Sequence, residues 1–321
     1  MFRETPTVND FSEQQLIARF AEWLGALNPA WPEGIGDDCA MHTPSTEHKQ
    51  IITSDALVFG QHFDENISAR QAGTKLVNRN LSDIAAMGGK PDRAILNLMF
   101  GPDLELRWLK DFFRGLEDAA SRVGLKIVGG DVCRLDPRCF TSVLTIIGTV
   151  ENPLLRRHSQ PGDAIYVTGK LGGSLSSKHA NFTPRLAEGQ WLAQCGHCSS
   201  LMDLTDGLAK DLPSLLAAGH AAQIDLNAIP ISVDGHKAAV QSGRSVTEHA
   251  FCDGEDYELL FTVRPFVNVG DFSAAWARAF PSVRLSRIGH VVERKSKGPP
   301  IHAGDGQPLP FIQGFEHFRG S

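Results

Sequence analysis

Short acidic segments recur along the chain, and they constrain its fold more than any other feature. Each joins a short apolar run to a glycine or to the start of a helix. They are Gly36-Asp37-Asp38, Thr53-Ser54-Asp55, Leu81-Ser82-Asp83, Gly129-Gly130-Asp131, Met202-Asp203-Leu204-Thr205-Asp206-Gly207 and Asp253-Gly254-Glu255-Asp256-Tyr257. So many carboxylates in turns cannot cluster without cations, and oxygen ligands beside glycine suit Mg²⁺ and the phosphates of a nucleotide. The pattern predicts a Mg²⁺-dependent phosphoryl-transfer enzyme.

Length and composition limit the class of protein. The 321 residues, 42% of them hydrophobic and 21% charged, are enough for two globular domains with separate cores. A net charge of −6 argues against non-specific binding to nucleic acid or to an anionic membrane. The sequence has no apolar stretch near the roughly 20 residues needed to cross a bilayer, and residues 1–6 resemble no signal peptide. We therefore expect a cytoplasmic protein without nucleic-acid or membrane partners.

The six cysteines give little indication of chemistry. Only Cys195-Gly196-His197-Cys198 has the spacing of a motif. A single such pair is compatible with free thiols in a turn, and also with redox chemistry or zinc binding. The sequence favours the free thiols and leaves the alternatives open.

Hydrophobic periodicity predicts a mixture of helices and strands in both halves of the chain. The predicted helices cover residues 13–24, 68–87, 104–123, 206–218 and 271–280, and the predicted strands cover 50–53, 93–99, 126–128, 140–150, 164–168, 258–263 and 283–292. Residues 294–310, rich in Gly, Pro and Lys, indicate an exposed loop. A strand ends near Glu151-Asn152-Pro153. We therefore predict an α+β (mixed α/β) chain of two domains, 1–150 and 151–321.

Asp83 is the most informative single carboxylate. It lies in the last turns of the helix predicted over 68–87, where the helix dipole disfavours a negative charge by roughly several tenths of a kcal/mol. A cation should compensate. Arg79, one turn earlier, could form an i,i+4 ion pair worth about 0.2–0.5 kcal/mol. A metal ion shared with other acidic segments is the alternative, and the number of those segments favours it.

Several other segments also have a purely structural interpretation. Asp37-Asp38 could form a turn with an Asx hydrogen bond, and Asp206 could cap the helix that follows it. Thr53-Ser54-Asp55 could simply end a strand, yet its two hydroxyls and carboxylate are good ligands for a hard cation. The loop Gly169-Lys170-Leu171-Gly172-Gly173-Ser174 could hold a phosphate, although it lacks the spacing of a P-loop. These alternatives stay open at the level of single motifs.

Taken in order, the segments resemble the thiamine-monophosphate kinase family, in the superfamily that includes aminoimidazole ribonucleotide synthetase. The resemblance covers nearly the whole chain. It is carried by Gly34-Ile35-Gly36-Asp37-Asp38-Cys39-Ala40, Thr53-Ser54-Asp55 through His62-Phe63, Asn80-Leu81-Ser82-Asp83-Ile84-Ala85-Ala86-Met87-Gly88, Gly129-Gly130-Asp131, Val167-Thr168-Gly169, Met202-Asp203-Leu204-Thr205-Asp206-Gly207-Leu208, Gly254-Glu255-Asp256-Tyr257-Glu258-Leu259 and Gly314-Phe315-Glu316-His317-Phe318. The resemblance implies a cytoplasmic kinase that transfers the γ-phosphoryl group of ATP to thiamine monophosphate, giving thiamine diphosphate. It also implies a two-domain fold that forms a homodimer through its amino-terminal sheet.

The resemblance further implies roles for individual residues. Mg²⁺ would be bound by Asp38, Thr53, Ser54, Asp55, Asp83, Asp131, Asp203 and Asp206. ATP would be contacted by Gly130, Asp131, Arg156 and Thr205, and thiamine monophosphate by His62, Glu255 and Phe315. No side chain would act as a general base, because the acceptor phosphate is already a nucleophile and the bound metal ions neutralise the approach of two polyanions.

The chain also departs from the family pattern. Where Thr-Asp-Thr is usual, it has Ser54-Asp55-Ala56, and its glycine loop reads Gly169-Lys170-Leu171-Gly172-Gly173-Ser174 where the family pattern leads us to expect Gly-Asp-Ser. The segment from the glycine loop to Pro184-Arg185 is shorter than usual. The alternatives to the thiamine-phosphate kinase are a paralogue that uses ATP on another small acceptor, and a nucleotide-binding protein without turnover.

Overall fold

In a computed structural model, two β-sheets with packed helices make up the described part of the chain. This part comprises residues 14–15, 18, 30–32, 36–38, 40–42, 48–176, 178–295, 298–304, 309 and 314. The strands are β1 Ala40–His42, β2 Lys49–Val58, β3 Lys90–Phe100, β4 Lys126–Arg134, β5 Phe140–Val150, β6 Ala164–Thr168, β7 Cys198–Asp203, β8 His220–Ile224, β9 Leu259–Val263, β10 Leu285–Glu293 and β11 Ile301–Ala303. The helices are α1 Ala69–Ala86, α2 Leu106–Val123, α3 Lys178–Asn181, α4 Leu186–Cys195, α5 Leu208–Leu215, α6 Val233–Ser242, α7 Val246–Cys252 and α8 Val269–Ala279. None of these helices has the length and apolar character that crossing a bilayer requires.

The first sheet has the order β1-β2-β5-β3-β4, antiparallel except for the parallel pair β3–β4. Its residues alternate along β2 and β5, as expected for a sheet with one covered and one open face. Ile51 and Leu57 on β2 pack with Leu144 on β5 into a core that α1 and α2 complete. Helices α1 and α2 cross closely at Gly73 and Gly115, since a Cβ at either glycine would lie about 2 Å from a backbone carbonyl of the other helix.

Helix α1 carries the residues that face the site. Ser68 caps its start, and Gln71 completes a capping box with the Ser68 backbone. The helix ends at Ala86 with Met87 as its C-cap, and Gly88 follows with φ of 71°. Its sides are buried against the sheet, α2 and α4, so α1 lies between the two halves of the molecule.

The second sheet has the order β11-β8-β10-β6-β9-β7 and is mostly antiparallel. Each face of it has its own apolar cluster. Leu208, Phe251 and Ile288 belong to one, while Tyr166 and Trp276 belong to the other. The predicted mixture of helices and strands is confirmed, and the change from one sheet to the other falls between β5 and β6. The division into domains 1–150 and 151–321 stays a prediction.

Several local predictions are wrong, and they share one cause. The segments Thr53-Ser54-Asp55 and Gly129-Gly130-Asp131 are not turns: they lie inside β2 and β4, which continue past them because neighbouring strands supply their hydrogen bonds. The region 294–310 contains the short strand β11, which pairs with β8. Much of the helix predicted over 13–24 lies outside the described residues.

Asp206 is not the N-cap of α5. Gly207 holds that position, and the Asp206 carboxylate instead forms an ion pair with Lys210 at 2.9 Å. Cys195 and Cys198 lie at the end of α4 and the start of β7, where their thiols donate hydrogen bonds to the carbonyls of Leu192 and Ser200. The zinc or redox interpretation of this pair stays a prediction.

Candidate active site

A cleft of about 860 Å³ contains most of the predicted site residues. Its walls come from the 36–38 segment, the 60–67 loop and α1 in the first half of the chain, and from loops around residues 156, 203–206 and 253–257 in the second. Eight carboxylates of the acidic segments line it: Asp37, Asp38, Asp55, Asp83, Asp203, Asp206, Asp253 and Glu255. The cleft therefore gathers acidic segments that are distant in the sequence.

Three of these carboxylates form a compact group. One oxygen each from Asp38, Asp83 and Asp203 lies within 4.8 Å of the others. Asp83 extends from the last turns of α1, and Asp203 is the last residue of β7. Mg²⁺ and Ca²⁺ prefer ligand sets made only of oxygen atoms, whereas softer metals prefer thiolate or imidazole ligands. These residues fit a hard divalent cation.

Neighbouring groups fix the three carboxylates. The Thr53 hydroxyl donates to Asp83, and the Ser82 hydroxyl donates to Asp203 at 2.6 Å. The Arg156 guanidinium pairs with Asp38 and donates from Nε at 3.0 Å. Because two hydroxyls and a guanidinium hydrogen-bond to the carboxylates, the three side chains are preorganised for metal binding.

The electrostatics of the group favour a bound cation. Burial raises the pKa of Asp83 well above its usual value, and the nearby Asp55 and Asp203 raise it further. Burial likewise raises the pKa of Asp203 to about 6, against the Ser82 hydrogen bond, which lowers it. Carboxylates that are buried and repel each other hold protons more tightly, and a bound divalent cation would offset both shifts because it favours the ionised carboxylates.

Two loops meet at the cleft, and together they position Thr205, Asp206 and Glu255. The Glu255 N–H donates to the Thr205 carbonyl at 2.7 Å. Buried Asp211 accepts the N–H groups of Thr205 and Asp206 at 3.0 and 2.9 Å. Glu255 and Tyr257 both have left-handed backbone conformations, with φ of 54° and 49°. Such conformations in non-glycine residues are costly and are found mainly at functional sites.

A buried lysine holds Glu255 in place. The Lys75 side chain is fully buried on α1, and its Nζ donates to Glu255 at 2.7 Å and to the His62 carbonyl at 2.7 Å. Its Nζ also lies 2.8 Å from His179 Nδ1, which is 3.1 Å from the same Glu255 oxygen. Burial acts to raise the pKa of Glu255, but the His179 hydrogen bond and the Lys75 charge outweigh it and lower that pKa to about 2. Glu255 is therefore an anion at the cleft wall.

The predicted site residues divide into two sets. Those that line the cleft are Asp38, Asp55, His62, Asp83, Arg156, Asp203, Thr205, Asp206 and Glu255. Four described residues do not line it: Thr53, Ser54, Gly130 and Asp131. Phe315 lies outside the described residues.

The positions of these four have simple structural reasons. Thr53 lies directly behind Asp83, to which it donates. Ser54 points to the opposite face of β2, where its hydroxyl is 2.8 Å from Thr145 Oγ1, because side chains alternate along a strand. Gly130 and Asp131 lie on β4 at the end of the described sheet order, and exposed Asp131 accepts a hydrogen bond from the Cys133 thiol at 3.0 Å.

Arg79 has a different partner from the one considered in the sequence. Its Nε donates to Asp55 of β2 at 3.2 Å, so the ion pair joins α1 to the sheet instead of running along the helix to Asp83. Burial acts to lower the pKa of Arg79, but Tyr257 and Asp55 raise it overall.

Sequence reasoning gave no role to Lys75, His179, Ser82 or Asp211, all of which support the site. One signal was present: Lys75, Arg79 and Asp83 follow each other at four-residue intervals, which places three charges on one face of α1. Charges repeated on the same face of a buried helix indicate a polar site. His179 had no comparable signal, since its partners are remote in the sequence.

Comparisons with known proteins find similar sequences and structures over most of the chain. The model of the AIR synthase related protein, N-terminal domain, matches residues 36–150. A thiamine-monophosphate kinase of Rhodopirellula baltica is 34% identical over 88% of this chain and 90% of its own length. One from Haemophilus influenzae is 30% identical over 96% of this chain and 98% of its own.

The solved structure of AaThiL complexed with AMPPCP and TMP is 25% identical and has a TM-score of 0.83. The match covers 98% of this chain and all of that one. The aminoimidazole ribonucleotide synthetase-like fold expected from the sequence is thereby confirmed.

Proposed function

The chain belongs to the thiamine-monophosphate kinase family and is a kinase, and we propose that it transfers the γ-phosphoryl group of ATP to the phosphate of thiamine monophosphate. The product is thiamine diphosphate. The observation that carries the proposal is the group of Asp38, Asp83 and Asp203 in a cleft that also contains Glu255 and His62. Five of the eight expected metal ligands and two of the three expected substrate contacts thus line one cleft, which supports the proposal.

The acidic group would hold Mg²⁺, and no side chain would have to act as a general base. Asp38, Asp83 and Asp203 would bind the metal, with Asp55 and Asp206 nearby in the same cleft. Bound Mg²⁺ would neutralise the charge of two phosphate groups that must approach each other. The acceptor is itself an anionic oxygen nucleophile, so the role of the chain is to bring the two phosphates into line and to exclude water.

We assign the acceptor to the part of the cleft around Glu255. Thiamine monophosphate carries a permanently cationic ring, and Glu255 is ionised over the whole physiological range because its pKa is about 2. His62 and Glu255 both line the cleft and both contact the Lys75 ammonium, His62 through its carbonyl. An anionic wall held rigidly by a buried lysine would attract and orient a cationic ring.

ATP would approach from the side of Arg156 and Thr205, which also line the cleft. Gly130 and Asp131 remain proposed ATP contacts on the basis of the family resemblance, and their position on β4 gives no independent support. Asp131 and Ser54 remain proposed metal ligands on the same basis.

The test is the conversion of thiamine monophosphate to thiamine diphosphate by the purified protein, with ATP and Mg²⁺, followed by chromatography. We expect ADP and thiamine diphosphate in equal amounts, and loss of turnover by at least about a hundredfold in Asp83→Asn. Asp118→Asn, an exposed Asp→Asn change on α2, is the matched control and should keep full activity. ATP binding without turnover of thiamine monophosphate would contradict the proposal and would direct the search to another acceptor.

We also propose that the protein is a cytoplasmic homodimer formed through the first sheet. The open face and edge of this sheet expose apolar side chains, namely Ile52, Ile95, Ile127 and Val132, which are 37–65% exposed. A second copy of the chain would cover such residues. Sedimentation should give twice the mass of one chain, and Ile95→Glu should shift it towards the mass of one. A monomeric wild-type protein would contradict the dimer.

A further inference from the structure

Arg79 offers the cleft a buried cationic hydrogen-bond donor. It lines the cleft from α1, and its side chain is only 12% exposed. Its Nε is used by Asp55, but its buried Nη1 has no hydrogen-bond partner among the residues that the structure describes. Most buried donors in folded proteins are paired, so an unpaired guanidinium nitrogen on a residue that lines a cleft is a candidate for pairing with a ligand.

The position of Arg79 identifies the kind of ligand. Its electrostatic neighbours are Asp55 and Asp83 on the metal side, and Tyr257 and Glu255 on the side assigned to the acceptor. It therefore lies where the acceptor's phosphate has to meet the metal-binding carboxylates. Guanidinium groups remain charged and match the oxygens of phosphate in geometry.

No other described arginine or lysine of the cleft wall is equally available. Arg79 and Arg156 are the only two in the described lining, and Arg156 directs Nε and Nη2 at Asp38. The remaining wall is rich in carboxylates, which would repel a phosphate. A phosphate monoester could therefore find a cationic partner at Arg79.

We propose that Arg79 binds a non-bridging oxygen of the acceptor's phosphate and thereby selects a phosphorylated acceptor over its free alcohol. This role rests on the proposed function. In it, the ion pair with Asp55 orients the guanidinium plane, and Nη1 donates to the phosphate. The Arg79 guanidinium is thus held by Asp55 of β2, while its backbone is held by α1.

The test compares two ligands that differ only in the phosphate. Calorimetry with Mg²⁺ measures the affinity of the full-length protein for thiamine monophosphate and for thiamine. In Arg79→Gln we expect the affinity for thiamine monophosphate, and its KM, to weaken by about tenfold to a hundredfold, as for loss of a hydrogen bond to a charged group. The affinity for thiamine, the KM for ATP and the Mg²⁺ requirement should change less than about twofold.

Two further variants keep the result interpretable. Arg70→Gln removes an exposed arginine of the same helix, also paired with an aspartate, and should leave every parameter unchanged. Arg79→Lys keeps the charge and should recover part of the preference for the phosphate, and it provides the test if Arg79→Gln does not fold. Equal weakening of both ligands, or none, would overturn the assignment and make Arg79 a structural partner of Asp55. A wild-type protein that does not distinguish the two ligands overturns the proposed function as well.

Discussion

Replacing Asp83 by asparagine should make the metal-free protein more stable while it removes activity. Two unit charges 4.8 Å apart, the limiting separation in the carboxylate group, repel by about 3.5 kcal/mol at an effective dielectric constant of about 20 and by about 0.9 kcal/mol in bulk water. Asp83 is half-buried beside the buried Asp203, so the wild type must either carry this repulsion or keep a proton. Asparagine removes the charge and can still accept the Thr53 hydrogen bond. We expect its free energy of unfolding to exceed that of the wild type by about 1–3 kcal/mol at pH 8 without metal.

The difference in stability between the wild type and Asp83→Asn should depend on pH. The folded protein holds protons at Asp83 and Asp203 more tightly than the unfolded chain does, because the folded pKa values are raised, to about 6 for Asp203. The free energy of unfolding of the wild type should therefore fall as pH rises from about 4 through about 6, whereas the variant should lose less. Near pH 4 the two should be equally stable.

Urea unfolding at pH 4 and pH 8, with EDTA and then with Mg²⁺, measures this difference. Mg²⁺ should stabilise the wild type and have little effect on Asp83→Asn. Asp118→Asn is the opposite control, because its exposed carboxylate has a lowered pKa owing to the Arg70 hydrogen bond. A variant clearly less stable than the metal-free wild type at pH 8 would contradict this prediction, since Asp83 would then be an ionised structural partner of a nearby cation.

Three other changes test the supports of the site. Lys75→Met should lower the free energy of unfolding by about 3–5 kcal/mol in urea, because it leaves Glu255 without its buried partner, and unchanged stability would contradict the ion pair. Gly130→Ala should lower the thermal midpoint of unfolding, because Gly130 has a φ of 153° and a Cβ there would lie 1.6 Å from the Leu96 carbonyl oxygen. Loss of ATP affinity with an unchanged midpoint would instead show that this glycine serves ligand binding alone. Asp211→Ala should lower the free energy of unfolding by about 1–3 kcal/mol for each of the two backbone N–H groups that it leaves without an acceptor. Asp211→Asn keeps an acceptor oxygen and should retain most of the stability. Equal losses in the two variants would indicate that the charge of Asp211 matters.

Local sequence patterns predicted elements whose ends are set by short-range chemistry. The helix predicted over 68–87 is α1 with its caps, because Ser68 and Gly88 stop it at either end. Strands β5 and β6 occupy the predicted residues, since each is a continuous apolar or alternating run with clear breaks. Predictions failed where partners are remote: β2 and β4 extend through polar or glycine-rich residues because adjacent strands pair with them.

Residue type and local spacing specify the carboxylates in glycine-bounded segments, an order of motifs typical of one kinase family, and the helix that presents Asp83. The tertiary structure alone decided which of these groups meet. Ser82 and Asp203 are 121 residues apart, and Lys75 and Glu255 are 180 apart, yet each pair forms a hydrogen bond. It also turned Ser54 away from the cleft and paired Arg79 with a strand instead of its own helix. The physical reason is that residue type and local spacing fix what a group can do, whereas packing of α1 between two sheets fixes the few ångströms over which charges act.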